Sequence, residues 1–256
     1  MSISKIKSIS KYSQKKFRKL ENHFLIEGWR SVEELLLAKI EIEKLILNSD
    51  LNLDLNKKTL LKKLKNISCN IIELPKKEFS KITDTVNSQG IIAEIKKINY
   101  DLEKILSEQK SKSTIIALDR ISDPGNLGTI IRICDWFNVD ALLIGSGSVE
   151  LYNPKVIRST VGSIFHFPIL ENVDLSLSLK KLKNYKIISA DLNGTSSIDK
   201  YNFSEKICII IGSEAHGISS NLKNLITDSV SIPKFGKVES LNAAVALSIF
   251  LTKRFI

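Results

Sequence analysis

Ile209-Ile210-Ile211-Gly212-Ser213-Glu214-Ala215-His216-Gly217-Ile218-Ser219 is an unbroken apolar run that ends in a loop flanked by two glycines and carrying one carboxylate. A run without polar alternation suits a parallel strand covered on both faces. The glycines at 212 and 217 permit a tight turn or the close approach of a ligand to the backbone. This strand is expected at 207–211 and further strands at 114–118, 141–144, 186–190 and 229–232, with helices at 127–137, 154–161, 175–182 and 221–226 and a long apolar helix from 241 onward. Strands alternating with helices define an α/β fold in which helices cover a parallel sheet, an α/β/α arrangement. In such folds ligands bind at the carboxyl ends of the strands.

Two more segments concentrate turn residues and polar side chains at expected strand ends. Leu118-Asp119-Arg120-Ile121-Ser122-Asp123-Pro124-Gly125-Asn126-Leu127-Gly128 runs into Thr129-Ile130-Ile131-Arg132. Pro124 and Gly125 make a turn, Asn126 reads as the cap of the helix that follows, and Arg132 reaches back toward that helix N-terminus. Ser231-Ile232-Pro233-Lys234-Phe235-Gly236-Lys237-Val238-Glu239-Ser240-Leu241-Asn242-Ala243-Ala244-Val245-Ala246 places Ser240 as a helix cap before a run of small residues. Taken singly, the first is also a plain strand–turn–helix with a surface arginine, and the second a core helix with an ordinary cap. His216 reads as a base, a ligand or a bystander in its loop. Neither the GxGxxG fingerprint nor a P-loop is present, so a nucleotide-dependent α/β enzyme lacks its phosphate motifs.

The first part of the chain alternates in the same way. Helices are expected at 5–20, 31–38, 57–65 and 78–84, and strands at 24–26, 44–47, 70–74 and 90–95, forming a small α/β/α sandwich. A polar helical stretch at 101–112 reads as the connection, giving domains of 1–108 and 112–256.

Composition narrows the classes. Hydrophobic residues at 43% and charged residues at 26% belong to an ordinary globular chain, which excludes disorder and collagen-like repeats. Three widely spaced cysteines without a CxxC argue against a disulfide framework and for a reducing, cytoplasmic setting. No metal-ligand cluster is seen, and the apolar stretches are too short or too polar to span a bilayer, so no membrane partner is expected. The net charge of +10 attracts polyanions. It is uneven, since residues 1–110 carry 22 basic and 15 acidic side chains and the first twenty residues hold seven Lys or Arg and no acid. A basic segment at one end reads as a nucleic-acid-contacting arm over 5–19.

Together DPGNLGTIIR, IIIGSEAHGIS and SIPKFGKVESLNAAVA resemble the SpoU/TrmH family of RNA ribose 2′-O-methyltransferases in the SPOUT superfamily, in the family's order and spacing. NPKVIRSTVGSIFHFPI is similar to the family's intervening helix and strand. FLIEGWRSVEELL and GIIAEI resemble a substrate-binding domain related to kink-turn-binding ribosomal proteins. The resemblance implies a deep C-terminal trefoil knot, a homodimer, S-adenosylmethionine as cofactor and no metal. It places the cofactor against Gly212, Ile232 and Leu241, and the functional polar residues at Asn126, Arg132, Glu214, Ser240 and Asn242. Arg132 takes the position of the proposed general base on the ribose hydroxyl, while Lys234 stands where the family usually has Met. The extra N-terminal domain points to ribosomal RNA. A tRNA 2′-O-methyltransferase and a non-catalytic ribosome-associated RNA-binding protein are the alternatives.

Overall fold

The computed structural model describes residues 3–67, 69–83, 85, 87–108 and 110–256, which divide into two compact units. The first comprises residues up to Ile98 together with Tyr152–Phe165, and the second Asn99–Leu151 with His166–Ile256.

The first unit runs α1 (Ile3–Ser10), α2 (Lys15–Glu21), β1 (His23–Glu27), α3 (Trp29–Leu37), β2 (Lys44–Asn48), α4 (Leu55–Lys65), β3 (Asn70–Leu74), α5 (Lys76–Phe79) and β4 (Ile91–Lys96). Its sheet has the order β1-β4-β2-β3, with β2 and β3 parallel and β4 antiparallel to both of its neighbours. The single helix expected at 5–20 is broken at Gln14, which takes an extended conformation between a 3-10 turn and α2. Burial explains the break: Ile6, Ile9 and Tyr12 enter the core, and the chain then folds back to bury Arg18, only 3% exposed. Arg18 Nη1 donates to the carbonyls of Tyr12 and Ser13 at 2.8 and 2.7 Å. The expected basic arm is therefore a packed layer of the unit. The helix expected at 78–84 is the shorter α5, started by Pro75; Asp84 lies outside the described residues.

The second unit contains α6 (Leu102–Ser107), β5 (Ser113–Leu118), α7 (Pro124–Trp136) and β6 (Ala141–Gly145). The chain then forms α8 (Pro154–Thr160), which belongs to the first unit, where Tyr152 stacks on Phe24 with ring centroids 4.3 Å apart. Tyr152 Oη also accepts from the Ile98 amide at 3.1 Å. The second unit resumes with β7 (Ile169–Val173), α9 (Leu175–Lys181), β8 (Lys186–Ala190), β9 (Ser196–Ser197), β10 (Lys206–Ile211), α10 (Ser220–Lys223), β11 (Asp228–Ser231) and α11 (Ala243–Phe255).

Its sheet is parallel throughout, with the order β7-β6-β5-β10-β8-β11-β9. Every residue of β5 and β6 is buried, as is all of β10 after Lys206, which is why these strands read as continuous apolar runs. One face of the sheet packs Ile115, Ala117, Leu143, Cys208 and Ile210 with Leu175, Leu179 and Leu222 of the helices. On α7 and α11, which lie side by side, Leu127, Ile131, Leu247 and Phe250 are fully buried.

The order of strands fixes where a ligand can enter. From β5 the chain moves outward through β6 to β7, then returns to the other side for β8, and β10 inserts between β5 and β8. The direction of winding reverses at β5 and β10, and the carboxyl ends of those strands flank the crevice where open α/β sheets place ligands.

Candidate active site

Pro124 occupies the first turn of α7, where its missing N–H costs nothing, and this makes Asp123 the N-cap. Asp123 Oδ1 accepts from the Asn126 amide at 2.7 Å. Asn126 is thus not the cap expected from sequence. Its carboxamide is left to face outward from the first turn of the helix.

A similar displacement occurs at α11. The helix starts at Ala243, so the cap is Asn242 rather than Ser240, and Asn242 Oδ1 accepts from the amides of Ala244 at 2.9 Å and Val245 at 3.4 Å. Ser240 is exposed in the stretch before the helix.

Three of the five polar residues singled out from sequence converge. Asn126 Nδ2 donates to Glu214 Oε1 at 2.9 Å, and Asn242 Nδ2 donates to Asn126 Oδ1 at 2.8 Å and to Glu214 Oε1 at 3.2 Å. The Ala243 amide adds a third donor to Glu214 Oε1 at 3.1 Å. A carboxylate at the start of a thirteen-residue helix complements the helix dipole as well as these donors. The network ties the loops after β5, β10 and β11 into one surface. It commits one oxygen of Glu214 to holding the loops together.

Arg132 does not join this network. It lies six residues from Asn126, about 120° around a helix of 3.6 residues per turn, and is exposed with no hydrogen bond or ion pair to a described residue. It shares the outer stripe of α7 with Thr129 and Trp136, the latter 85% exposed. His216 is likewise exposed on its turn, without a hydrogen bond to a described residue.

Gly212, Ile232 and Leu241 follow β10, follow β11 and precede Asn242 respectively. Gly212 sits beneath a closed turn in which Ser213 and Gly217 exchange backbone hydrogen bonds of 3.1 and 2.8 Å. A Cβ at Gly212 would stand 2.5 Å from the Gly217 carbonyl carbon. The space that this glycine preserves is therefore filled by its own loop. The loops after β8 and β11 expose apolar side chains, among them Leu192, Phe235, Val238 and Leu241.

Sequence reasoning passed over Asp119, which is 4% exposed. Its Oδ2 accepts from the Ser219 amide at 2.7 Å, and its own amide donates to the Ile211 carbonyl at 2.9 Å. It fastens the end of β5 to both ends of the glycine loop. The available signal was an acid at the end of an otherwise apolar strand, where a buried carboxylate needs backbone donors. The thiols of Cys134 and Cys208 are fully buried, and burial pushes both up, away from nucleophilic use.

A parallel sheet reversing at β5 and β10, with three strand-end loops joined by an Asn–Glu–Asn network, has the form of a SPOUT-type RNA methyltransferase. Residues 113–252 match the SpoU rRNA methylase family, and residues 4–93 match the MRM3-like substrate binding domain. The chain belongs to the SpoU rRNA methylase family. It is 30% identical over 248 residues to the 23S rRNA (guanosine(2553)-2′-O)-methyltransferase RlmP of Bacillus subtilis, covering 96% of this chain and 94% of that one. An AdoMet-bound rRNA methyltransferase from Sinorhizobium meliloti is similar in structure, with a TM-score of 0.87 at 25% identity over 99% of this chain and 95% of that one. The SpoU methyltransferase AviRb of Streptomyces viridochromogenes shares the fold, with a TM-score of 0.88 at 21% identity over 98% and 97% of the two chains.

Proposed function

We propose that this protein methylates a ribose 2′-hydroxyl of ribosomal RNA with S-adenosylmethionine as donor. The observation that carries the reading is the Asn126–Glu214–Asn242 network, which assembles the three family motifs at the reversal point of the sheet. The match to an rRNA 2′-O-methyltransferase over 94% of that relative's length, N-terminal part included, supports ribosomal RNA as the substrate.

The strand-end loops suit the cofactor. They present backbone together with apolar side chains at Leu192, Phe235, Val238 and Leu241, the mix by which small-molecule sites hold an adenosine. Ile232, Leu241 and the turn above Gly212 would hold it, and Lys234 lies on the exposed side of the same stretch. When bound, S-adenosylmethionine supplies an electrophilic methyl group that needs no metal. The chain's own task is then to place the ribose oxygen in line with that group.

Arg132 is assigned to the ribose and its phosphate. A protonated guanidinium has no acceptor, so its contribution is to fork onto phosphate oxygens and orient the ribose hydroxyl toward the methyl group. Asn126, Glu214 and Asn242 keep the loops in register for this alignment, and Ser240, at the rim before Asn242, faces the entering RNA.

The protein acts as a homodimer in this reading. α7 and α11 run in parallel, with Asn126 and Asn242 at their starts and the rings of Phe137 and Phe255 5.7 Å apart at their ends. The pair exposes Trp136, Val245 and Phe255, an apolar surface that a second copy would cover. Arg132 lies on the same outer stripe as Trp136, so a second copy covering that stripe would pack against it. The trefoil knot of the family is assigned to the segment around α11. No helix among the described residues is long and apolar enough to cross a membrane, and the three free cysteines suit the cytoplasm.

Calorimetry tests the cofactor: S-adenosylmethionine should bind where NAD and ATP do not. Mapping 2′-O-methyl sites in rRNA and tRNA from a deletion strain tests the substrate. A missing mark in tRNA alone would favour the tRNA alternative, and no missing mark would favour a binding-only protein.

A further inference from the structure

We infer that Arg120 is a second RNA-binding residue of this site, a guanidinium that grips a backbone phosphate beside the target ribose. This rests on the RNA methyltransferase reading above. Arg120 follows β5 by two residues and stands at the reversal point of the sheet. Its φ is +58°, a left-handed conformation that L side chains with a Cβ avoid and that glycine or asparagine would take more easily. A bulky residue kept in such a conformation at a ligand crevice points to a use for its side chain.

The side chain is held at its stem and open at its head. Cγ packs so closely on the loop after β6 that a Cβ at Gly147 would stand 3.2 Å from it. Nη2 donates to the Gly217 carbonyl at a long 3.4 Å, and Nε forms an ion pair with Asp119 Oδ1 at 3.4 Å but no hydrogen bond. Asp119 directs its other oxygen to the Ser219 amide. Nη1 has no hydrogen bond to a described residue, and the side chain is 39% exposed. Of the five N–H donors of a guanidinium, the two on Nη1 and one on Nη2 have no hydrogen bond to a described residue, and two such donors in a plane match a phosphate bidentately.

Position selects the anion. The cofactor residues proposed above cluster at the ends of β10 and β11, on either side of β8. Arg120 lies on the other side of β10, between the loops after β6 and β10, and on the chain segment that leads into α7 with Asn126 and Arg132. The anion on that side is an RNA phosphodiester, not the carboxylate of S-adenosylmethionine.

Arg120→Gly and Arg120→Asn remove the guanidinium while accepting the left-handed backbone, which offsets part of the lost packing and ion pairing, so both should fold. Both should bind rRNA about tenfold more weakly and raise KM for RNA more than they lower kcat. The slope of log K against log salt should become shallower by about one, and S-adenosylmethionine affinity should stay within twofold. Arg120→Lys should recover the salt slope but not the full affinity, since an ammonium keeps the charge and loses the fork. Unchanged RNA affinity and slope in folded Gly and Asn variants would overturn the assignment, as would a selective loss of cofactor affinity. Wild-type protein that neither binds nor methylates rRNA would overturn the function and the Arg120 role together. An active wild type with unaffected variants would overturn Arg120 alone.

Discussion

Asn242 Nδ2 lies 2.8 Å from Asn126 Oδ1 across 116 residues of sequence, and both donate to the same oxygen of Glu214. Each asparagine uses both ends of its side-chain amide, so the three groups form a closed unit rather than separate contacts. Such a unit is sensitive to the loss of any member, because the remaining donors and acceptors lose partners fixed in direction.

Glu214→Ala should therefore abolish most methyl transfer while lowering stability by only about 1 kcal/mol, since the carboxylate is exposed but completes a helix N-terminus. Glu214→Gln keeps an acceptor and should fall between. Denaturant titration alongside single-turnover methylation distinguishes positioning of the loops from general unfolding.

Gly212→Ala should disturb the loop directly, because even a methyl group would stand 2.5 Å from the Gly217 backbone. Both the thermal midpoint and S-adenosylmethionine affinity should drop. Gly236→Ala is the matched control for stability, with nothing within 4 Å of the added carbon, and should leave the thermal midpoint unchanged. Differential scanning calorimetry and isothermal titration read the two effects.

Arg132→Ala should leave the thermal midpoint and cofactor affinity unchanged, as Arg132 has no partner among the described residues whose loss could destabilise the fold. Methyl transfer under saturating RNA and cofactor should nevertheless fall by about a hundredfold or more, in the range of losses for a positioning group at a reacting centre. Arg132→Lys should also be poor. A rate within a few-fold of wild type would return Arg132 to the surface.

Arg18→Ala should destabilise the first unit by about 2 kcal/mol, because it orphans the buried carbonyl of Tyr12 and removes the part-buried bond to that of Ser13. Exchange of Lys58, Lys62 and Lys65 for alanine should do the opposite: these lysines are exposed along α4 without ion pairs to described residues. Stability should hold, while RNA affinity and its salt dependence decrease. Thermal melts and RNA binding at several salt concentrations separate the two cases.

Much of the sheet was readable because strands buried on both faces leave long Ile and Leu runs, so 186–190 and 207–211 emerge within a residue of β8 and β10. Edge strands leave no such trace. β9 is only Ser196–Ser197, and β7, with Glu171 and Asn172, is visible only through family resemblance. The caps at Asn126 and Ser240 were misplaced by a few residues because local chemistry permits several starts. Pro124 and the loop contacts of Asn242 decide among them. Helical spacing also could not show that 5–20 folds back to bury Arg18, nor that residues 152–165 pack with the first unit. Both depend on contacts distant in sequence. The role of Asp119 is not legible locally, since it lies in the Ser219 amide 100 residues away.

The most direct measurement is nucleoside mass spectrometry of ribosomal RNA incubated with the purified protein and isotopically labelled S-adenosylmethionine, with Glu214→Ala in parallel. The expected result is a single labelled 2′-O-methylnucleoside from wild type and a strongly reduced yield from the variant. Label on a base, label only when tRNA is supplied, or equal labelling by the variant would contradict a ribose methyltransferase built on the Asn126–Glu214–Asn242 network.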